Sequence, residues 1–174
     1  IFIDGHTNLQ KMEEWQLELL THFKKVKLGI SIDAYKEENH YIRWPANWDI
    51  IEEKMKLLSK LNKENSWIRV HSVLQFFNAS TFYKLCQWID EINTEYDLGL
   101  YHSMDKVVLN LSYRAELLPK DLRLEGADKL KQFVESSNLC NIDSPYKSQR
   151  YGKDRVKQQR QVYNSMIEYL SKDY

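Results

Sequence analysis

Short β-type runs alternate with amphipathic helical runs over the first two-thirds of the chain. Residues 26–33 alternate strictly between apolar and small or polar side chains, and residues 67–75 form a second run of strand-forming type. Helical patterns with an apolar stripe lie between such runs. Because strands that alternate with helices pair side by side in parallel, this order predicts βαβ units around a parallel sheet.

Capping residues and apolar stripes give the predicted bounds of each element. Strands are predicted over residues 1–4, 26–33, 67–75 and 107–111. Helices are predicted over residues 9–23, 47–61, 121–136 and 153–171, with another beginning at Ser80 as its N-cap. Asn47 is the predicted N-cap of the second helix, and the first is predicted to carry one stripe of Met12, Trp15, Leu19 and Phe23.

The predicted fold class is α/β, a partial (βα) barrel of parallel strands with outer helices, followed by a mostly helical C-terminal region. The alternation stops after Pro119, so we divide the chain into residues 1–115 and residues 116–174. The chain opens with Ile-Phe-Ile and no initiating Met. Because the termini of complete domains are usually polar, we expect this start to lie inside a longer fold.

Charge and cysteine content narrow the classes of function. The chain has 25 Lys and Arg against 25 Asp and Glu, so no global field attracts nucleic acid, which is an unlikely partner. There is no apolar run of about 18 residues, so no membrane partner is expected. The two cysteines, Cys86 and Cys140, are too few for a disulfide framework or a zinc knuckle, so a reducing, cytoplasmic setting is predicted.

The last predicted helix begins with a basic cluster. Lys and Arg occupy positions 147, 150, 153, 155, 157 and 160 against the single acid Asp154. A solvated helix face is the favoured interpretation, and a phosphate-binding patch is the alternative.

Four polar residues follow the predicted strands where a barrel would place its active site. They are Ser31, Asp33, Arg43 and Asn78, chosen from a longer polar set that also contains Thr7, Asn8 and Gln75. Ser31 offers a hydroxyl and Asp33 a carboxylate near the rim, with Gly29 leaving room for a ligand. The Arg43 guanidinium could hold a carboxylate in a bidentate pair.

Each of these residues also has an ordinary structural interpretation. Asp33 could accept backbone N–H bonds in a turn, Asn78 could cap a turn, and Arg43 could pair at the surface with Glu37 or Glu38. The five histidines show no metal-binding spacing, and His71 is the one whose strand face could look into the barrel. No metal site is predicted within the chain, and no Gly-rich phosphate loop or GxSxG elbow occurs.

Three segments carry a resemblance to a known family. They are TNLQ near the start, FKKVKLGISIDAYKEENHYIRWPANWDIIEEKMKLL, and IRVHSVLQFFNAS, in that order. They resemble the third, fourth and fifth strand regions of radical S-adenosylmethionine enzymes, and the twitch-containing branch is the nearest match. The LLPKDL stretch and the closing KDRVKQQR helix resemble that branch more loosely. The resemblance covers most of the chain and is most specific over residues 26–80.

This resemblance implies a cofactor site and a reaction. By position, Ser31 and Arg43 would approach the methionyl or ribose part of S-adenosylmethionine, with Asp33 and Asn78 as weaker candidates. A [4Fe-4S] cluster, an external electron donor and a peptide or protein substrate are further expectations. The cluster-binding CxxxCxxC loop and a Gly-Gly-Glu-like strand end are absent from the chain, so both are expected in roughly 60 to 100 residues upstream.

Other classes of function remain open. The chain could belong to a non-catalytic α/β binding or scaffold protein that has lost its cluster loop. It could also be a nucleic-acid or membrane-surface adaptor that acts through the basic last helix, although the zero net charge argues against this. By itself the chain is predicted to be inactive, since two distant thiols cannot hold a four-iron cluster.

Overall fold

The computed structural model describes residues 1–61, 64–105, 113–141 and 153–174. Four strands are present in these residues: β1 (Phe2–Thr7), β2 (Lys25–Ser31), β3 (Ser66–Val73) and β4 (Tyr101–Asp105). The helices are α1 (Glu14–Leu20), α2 (Glu37–Ile42), α3 (Trp48–Leu57), α4 (Phe82–Tyr96), α5 (Lys120–Ser136) and α6 (Lys153–Ser171).

The four strands form one sheet in the order β1-β2-β3-β4, and every neighbouring pair is parallel. Thr7 lies beside Ile30, Ile30 beside Val70, and Val70 beside His102, so side chains of all four strands share each face in register. The predicted α/β class, with parallel strands, helices outside and a helical C-terminal region, is therefore confirmed.

Among the described residues, helices cover one face of the sheet and leave much of the other uncovered. On β2 and β3 the core side is buried at Val26, Leu28, Ile68 and Val70, and the last three belong to the hydrophobic cluster that includes the helices. The alternating positions point away from this core and include Trp67, which is 52% exposed. We call this second side the open face. It is unusual for a parallel sheet, whose two faces are normally both covered.

The first helix is shorter than the sequence predicted. Leu9 has a left-handed backbone with φ 65° and is fully buried in a loop, so the helix begins only at Glu14, where Glu13 and Gln16 form a capping box. The predicted apolar stripe is wrong as well: Trp15 is 62% exposed, whereas Leu17 enters the core. The helix therefore begins later than predicted, and the side of the helix that faces the core is not the predicted stripe.

Other predicted bounds differ to a smaller extent. Asn47 caps α3 as predicted, accepting from the backbone N–H of Asp49 at 2.9 Å. Thr81, and not Ser80, occupies the N-cap position of α4. The strand predicted over residues 107–111 lies outside the described residues, and the observed fourth strand precedes it at Tyr101–Asp105. The short helix α2 was not predicted.

The two edges of the sheet are treated differently. At the β4 edge, the Gln159 side chain of α6 accepts from the His102 backbone N–H at 2.9 Å and donates to the His102 carbonyl at 3.0 Å. This amide thus imitates one residue of a neighbouring strand. Within the described ranges β1 pairs with β2 alone, so its outer edge has no strand beside it. Edges of this kind readily pair with further strands.

The C-terminal helices pack on the same core as the strands and the preceding helices. Leu130 and Phe133 of α5 and Tyr163 of α6 belong to one continuous hydrophobic cluster with the strands and α4. The buried Arg123 guanidinium donates to the Leu170 carbonyl at 2.9 Å, which caps the end of α6. The proposed division at residues 115 and 116 stays a prediction. None of the helices formed by the described residues has the length and apolarity needed to cross a bilayer.

Candidate functional site

Asp33 is the centre of a buried junction just beyond the C-terminal end of β2. Its Oδ1 accepts from the Val73 backbone N–H at 2.9 Å, and its Oδ2 lies 2.8 Å from Nε of Arg43. Asp33 is only 5% exposed, whereas the Arg43 side chain is 28% exposed. The carboxylate therefore ties β2 to β3 and holds the start of the Arg43 guanidinium in place. The alternative interpretation expected Arg43 to pair with Glu37 or Glu38 at the surface. Its acidic partner is instead Asp33.

Two buried amides complete the junction. Asn78 donates to the Asp33 carbonyl at 2.6 Å and to the Val73 carbonyl at 2.9 Å, and it accepts from Gln75 N–H at 2.8 Å. Asn39 accepts from the Asp33 N–H at 3.0 Å. Fixed amides of this kind satisfy backbone groups that a loop would otherwise bury unpaired. Asn78 thus has the structural role that the sequence left open, and Asn39 is a member that sequence reasoning missed.

Ser31 is the first member of a row of polar side chains that crosses the open face near the rim, which is the edge formed by the C-terminal ends of the strands. It lies beside His71 of β3, which lies beside Ser103 of β4. Nδ1 of His71 is 3.1 Å from Oγ of Ser103, and its Nε2 is 3.3 Å from Asp105 Oδ2. The His71 imidazole therefore has a hydroxyl beside one ring nitrogen and a carboxylate beside the other. His71 was singled out from the sequence, but Ser103 and Asp105 were not, although the alternation of residues 101–105 would have revealed them.

The four predicted site residues are therefore close in the fold but have different surroundings. Asp33, Arg43 and Asn78 meet in the junction, and Ser31 lies two residues before it at the end of β2. In the part of the chain that is described, the terminal nitrogens of Arg43 make no hydrogen bond, and Arg43 borders a cleft of about 530 Å³. Ser31 and Arg43 are thus the two that could still reach a ligand, and that role stays a prediction.

A second cleft lies on the open face, over the N-terminal halves of the strands. It has a volume of about 600 Å³, and we call it the lower cleft. Its lining includes Asp4, Lys27, Trp67, Arg69, Tyr101 and Arg155. The Arg155 guanidinium lies 4.1 Å from the centre of the Trp67 ring, so this member of the basic cluster folds back onto the sheet and does not belong to a fully solvated helix face.

Gly29 also lines the lower cleft, on the side nearer the C-terminal ends of the strands. A Cβ at this position would fall 2.4 Å from Nδ1 of His6, so the exposed His6 ring occupies the room that the glycine provides. The ring is the end of a flexible side chain, and it can swing away. The space that Gly29 was expected to leave for a ligand is therefore partly occupied by the His6 ring.

A buried imidazole links β4 to the helical region. Nε2 of His102 lies 2.8 Å from Oγ of Ser72, and Nδ1 lies 3.0 Å from the Tyr163 hydroxyl. Because the Ser72 hydroxyl donates its proton to the Ile32 carbonyl, Nε2 carries the ring proton and Nδ1 accepts from Tyr163. Complete burial, with His71 nearby, lowers the pKa of His102 to about 3. The ring is neutral and inaccessible, which makes it a structural group.

The two thiols are also buried. Burial raises the pKa of Cys86 well above its usual range and raises the pKa of Cys140 to about 12. Both therefore stay protonated at neutral pH and poorly nucleophilic. Among the described residues, no three His, Cys, Asp or Glu side chains are grouped closely enough to hold a metal ion.

The fold defines the chain as an α/β protein with a four-stranded parallel sheet and a helical C-terminal region. No family model, no curated protein and no solved structure matches the chain.

Proposed function

We propose that this chain forms the second half of a radical S-adenosylmethionine barrel and supplies part of the cofactor rim and the substrate wall. The observation that best supports this proposal is the open face of an all-parallel sheet, which is polar at Ser31, His71 and Ser103. Parallel sheets normally bury both faces, and a barrel does so by turning one face inward. The bare outer edge of β1 is where further strands would close such a barrel.

The described residues suit S-adenosylmethionine better than they suit the cluster. The hydroxyl of Ser31 and the guanidinium of Arg43 can both donate to the carboxylate of an amino acid. Asp33 lies 2.8 Å from Nε of Arg43, and the Arg43 side chain is 28% exposed and borders the cleft of about 530 Å³. The two buried thiols cannot ligate four irons, so the cluster ligands would lie outside this chain.

When bound, the cluster would supply the electron for reductive cleavage of S-adenosylmethionine to a carbon radical. The residues of this chain would bind and orient S-adenosylmethionine and the substrate. Ser31 and Arg43 would hold the methionyl group at the rim, and the open face would enclose the substrate and exclude water. An external electron donor and a peptide or protein substrate belong to this proposal.

The test uses the full-length protein that contains this chain, reconstituted anaerobically with iron and sulfide. Reduction should release methionine from S-adenosylmethionine. Arg43→Ala should weaken cofactor binding by about tenfold, as expected for loss of a charge-assisted contact, and leave the iron content unchanged. Lys84→Ala removes a half-exposed cation that lies 3.9 Å from Glu38 outside the rim, and it serves as the control.

A reconstituted protein that binds no iron, or that binds a cluster without releasing methionine, would refute the radical chemistry. A non-catalytic binding protein is the second candidate. It is favoured by the engagement of Asp33 and Asn78 with backbone groups, which leaves less of the rim for chemistry. Absence of three closely spaced cysteines from the flanking coding sequence would select this second candidate.

A further inference from the structure

We propose that the lower cleft binds a mononucleotide, with its ring against the Trp67–Arg155 pair and its phosphate on Arg69 and Lys27. This inference does not rest on the radical S-adenosylmethionine proposal. The lower cleft lies over the N-terminal halves of the strands, whereas Ser31 and Arg43 lie at their C-terminal ends.

The sheet register brings the charged groups to one place. Lys27 lies beside Trp67, and Gly29 lies between the strands that carry His6 and Arg69. Tyr101 lies beside Arg69 on the other side. Because neighbouring strands are about 4.8 Å apart and alternate residues share a face, these side chains stand on one small area of the open face. Gly29 adds no side chain of its own, and the His6 ring occupies part of the room above it.

The charge of the lower cleft favours an anion. Its lining has three cations, Lys27, Arg69 and Arg155, against one acid, Asp4, which leaves an excess of two positive charges. Asp4 lies 3.9 Å from Lys27. Arg69 pairs with no acidic side chain anywhere in the described ranges, so its fork of donors can bind a phosphate bidentately.

The aromatic groups favour a ligand that also carries a planar ring. Trp67 is 52% exposed, although a tryptophan on a sheet is usually covered. The guanidinium of Arg155 covers part of it at 4.1 Å, so the two planes offer a stacking surface for a base. The carboxylate of Asp4 can accept from sugar hydroxyls. The volume of about 600 Å³ falls within the usual range for a small-molecule site.

The test is calorimetric titration of the 174-residue chain with AMP, inorganic phosphate and adenosine. AMP should bind in a saturable way, and phosphate or adenosine alone should bind at least about tenfold more weakly, since each offers only part of the contacts. Arg69→Gln and Trp67→Leu should each weaken AMP binding by about tenfold. Lys157→Gln removes an exposed cation from α6 outside the cleft and should change the affinity by less than about twofold.

Three results would overturn the proposal. These are no saturable AMP binding, equal binding of AMP and phosphate, and an equal loss of affinity in Lys157→Gln and Arg69→Gln. Near-ultraviolet circular dichroism checks that each variant is folded, and Arg69→Lys provides a second variant that keeps the charge but loses the planar fork. Ser31→Ala should leave AMP binding unchanged, which separates this site from the cofactor rim.

Discussion

At the scale of single residues, the polar groups of this protein fall into a buried set and an exposed set. Asp33, Asn39, Asn78 and His102 are each at most 5% exposed and are bonded to backbone or to neighbouring side chains. They fix the ends of strands and helices in the core. The exposed set includes Asp4 and Arg69, which lie on the open face.

The buried imidazole predicts a specific dependence of stability on pH. His102 has a folded pKa of about 3 against an ordinary value of 6.5, so between these values the unfolded state binds more protons. Its contribution to stability is complete above pH 6.5 and is lost as the pH falls towards 3. Between pH 7 and pH 5 the wild-type protein should therefore lose roughly 2 kcal/mol more of its free energy of unfolding than His102→Gln does.

Urea denaturation at the two pH values measures this difference. His22→Gln, which replaces an exposed histidine, should behave like the wild type. An identical pH dependence in wild type and His102→Gln would show that His102 does not stay neutral in the folded protein.

Residue types alone could nominate Asp33 and Asn78 but could not decide their role. That role depends on the direction of each side chain, and the turn after β2 places the Asp33 carboxylate within 2.9 Å of a backbone N–H on β3. Ser103 and Asp105 could have been inferred from their alternation. Asn39 could not, because its partners are the backbone groups of Asp33 and Ala34 in a loop of irregular conformation.

At the scale of elements, strands were easier to predict than helix starts. β2 and β3 were recognised within about two residues of their observed ends, because burial of one face imposes strict alternation. The start of α1 was missed because Leu9 is buried in a left-handed loop conformation, so an apolar residue there does not mark a helix. Such tertiary constraints do not leave a periodic pattern.

α5 packs closely against the loop that precedes α4. A Cβ on Gly126 would lie 2.5 Å from the Ala79 carbonyl oxygen and 3.0 Å from Cα of Ser80. Gly126→Ala should improve helix propensity by about 1 kcal/mol, but the backbone clash should make the variant less stable by about 1 to 3 kcal/mol.

The matched control is Gly5→Ala, since a Cβ there would meet no atom within 4 Å. Its free energy of unfolding should change by less than about 0.5 kcal/mol. A stabilised Gly126→Ala variant in urea denaturation would mean that α5 does not lie this close to residues 79 and 80.

At the scale of the whole molecule, one group of exposed apolar side chains lies beside the bare edge of β1. Phe2 is 50% exposed, Trp15 62%, Leu19 49% and Trp44 74%. The last three border one cleft of about 530 Å³. An unpaired strand next to exposed aromatic side chains is the kind of surface that associates with other chains.

The isolated chain should therefore self-associate as its concentration rises. The double variant Trp15→Lys/Leu19→Lys should move it towards the monomer, because like charges would then repel at that edge. Light scattering after size-exclusion chromatography measures this. Leu117→Lys replaces a leucine that is 59% exposed and distant in sequence, and it should have no effect. A wild-type chain that stays monomeric at every concentration would contradict the prediction.

The paired hydrogen bonds between Gln159 and His102 also set the rotation of α6 about its own axis. Arg155 lies one helical turn earlier on the same side, so the strand edge and the stacking partner of Trp67 are aligned by one helix. Any event that turns α6 must change both contacts together. The side-chain amide protons of Gln159 can thus serve as a nuclear magnetic resonance reporter for the geometry of a cleft that Gln159 itself does not touch.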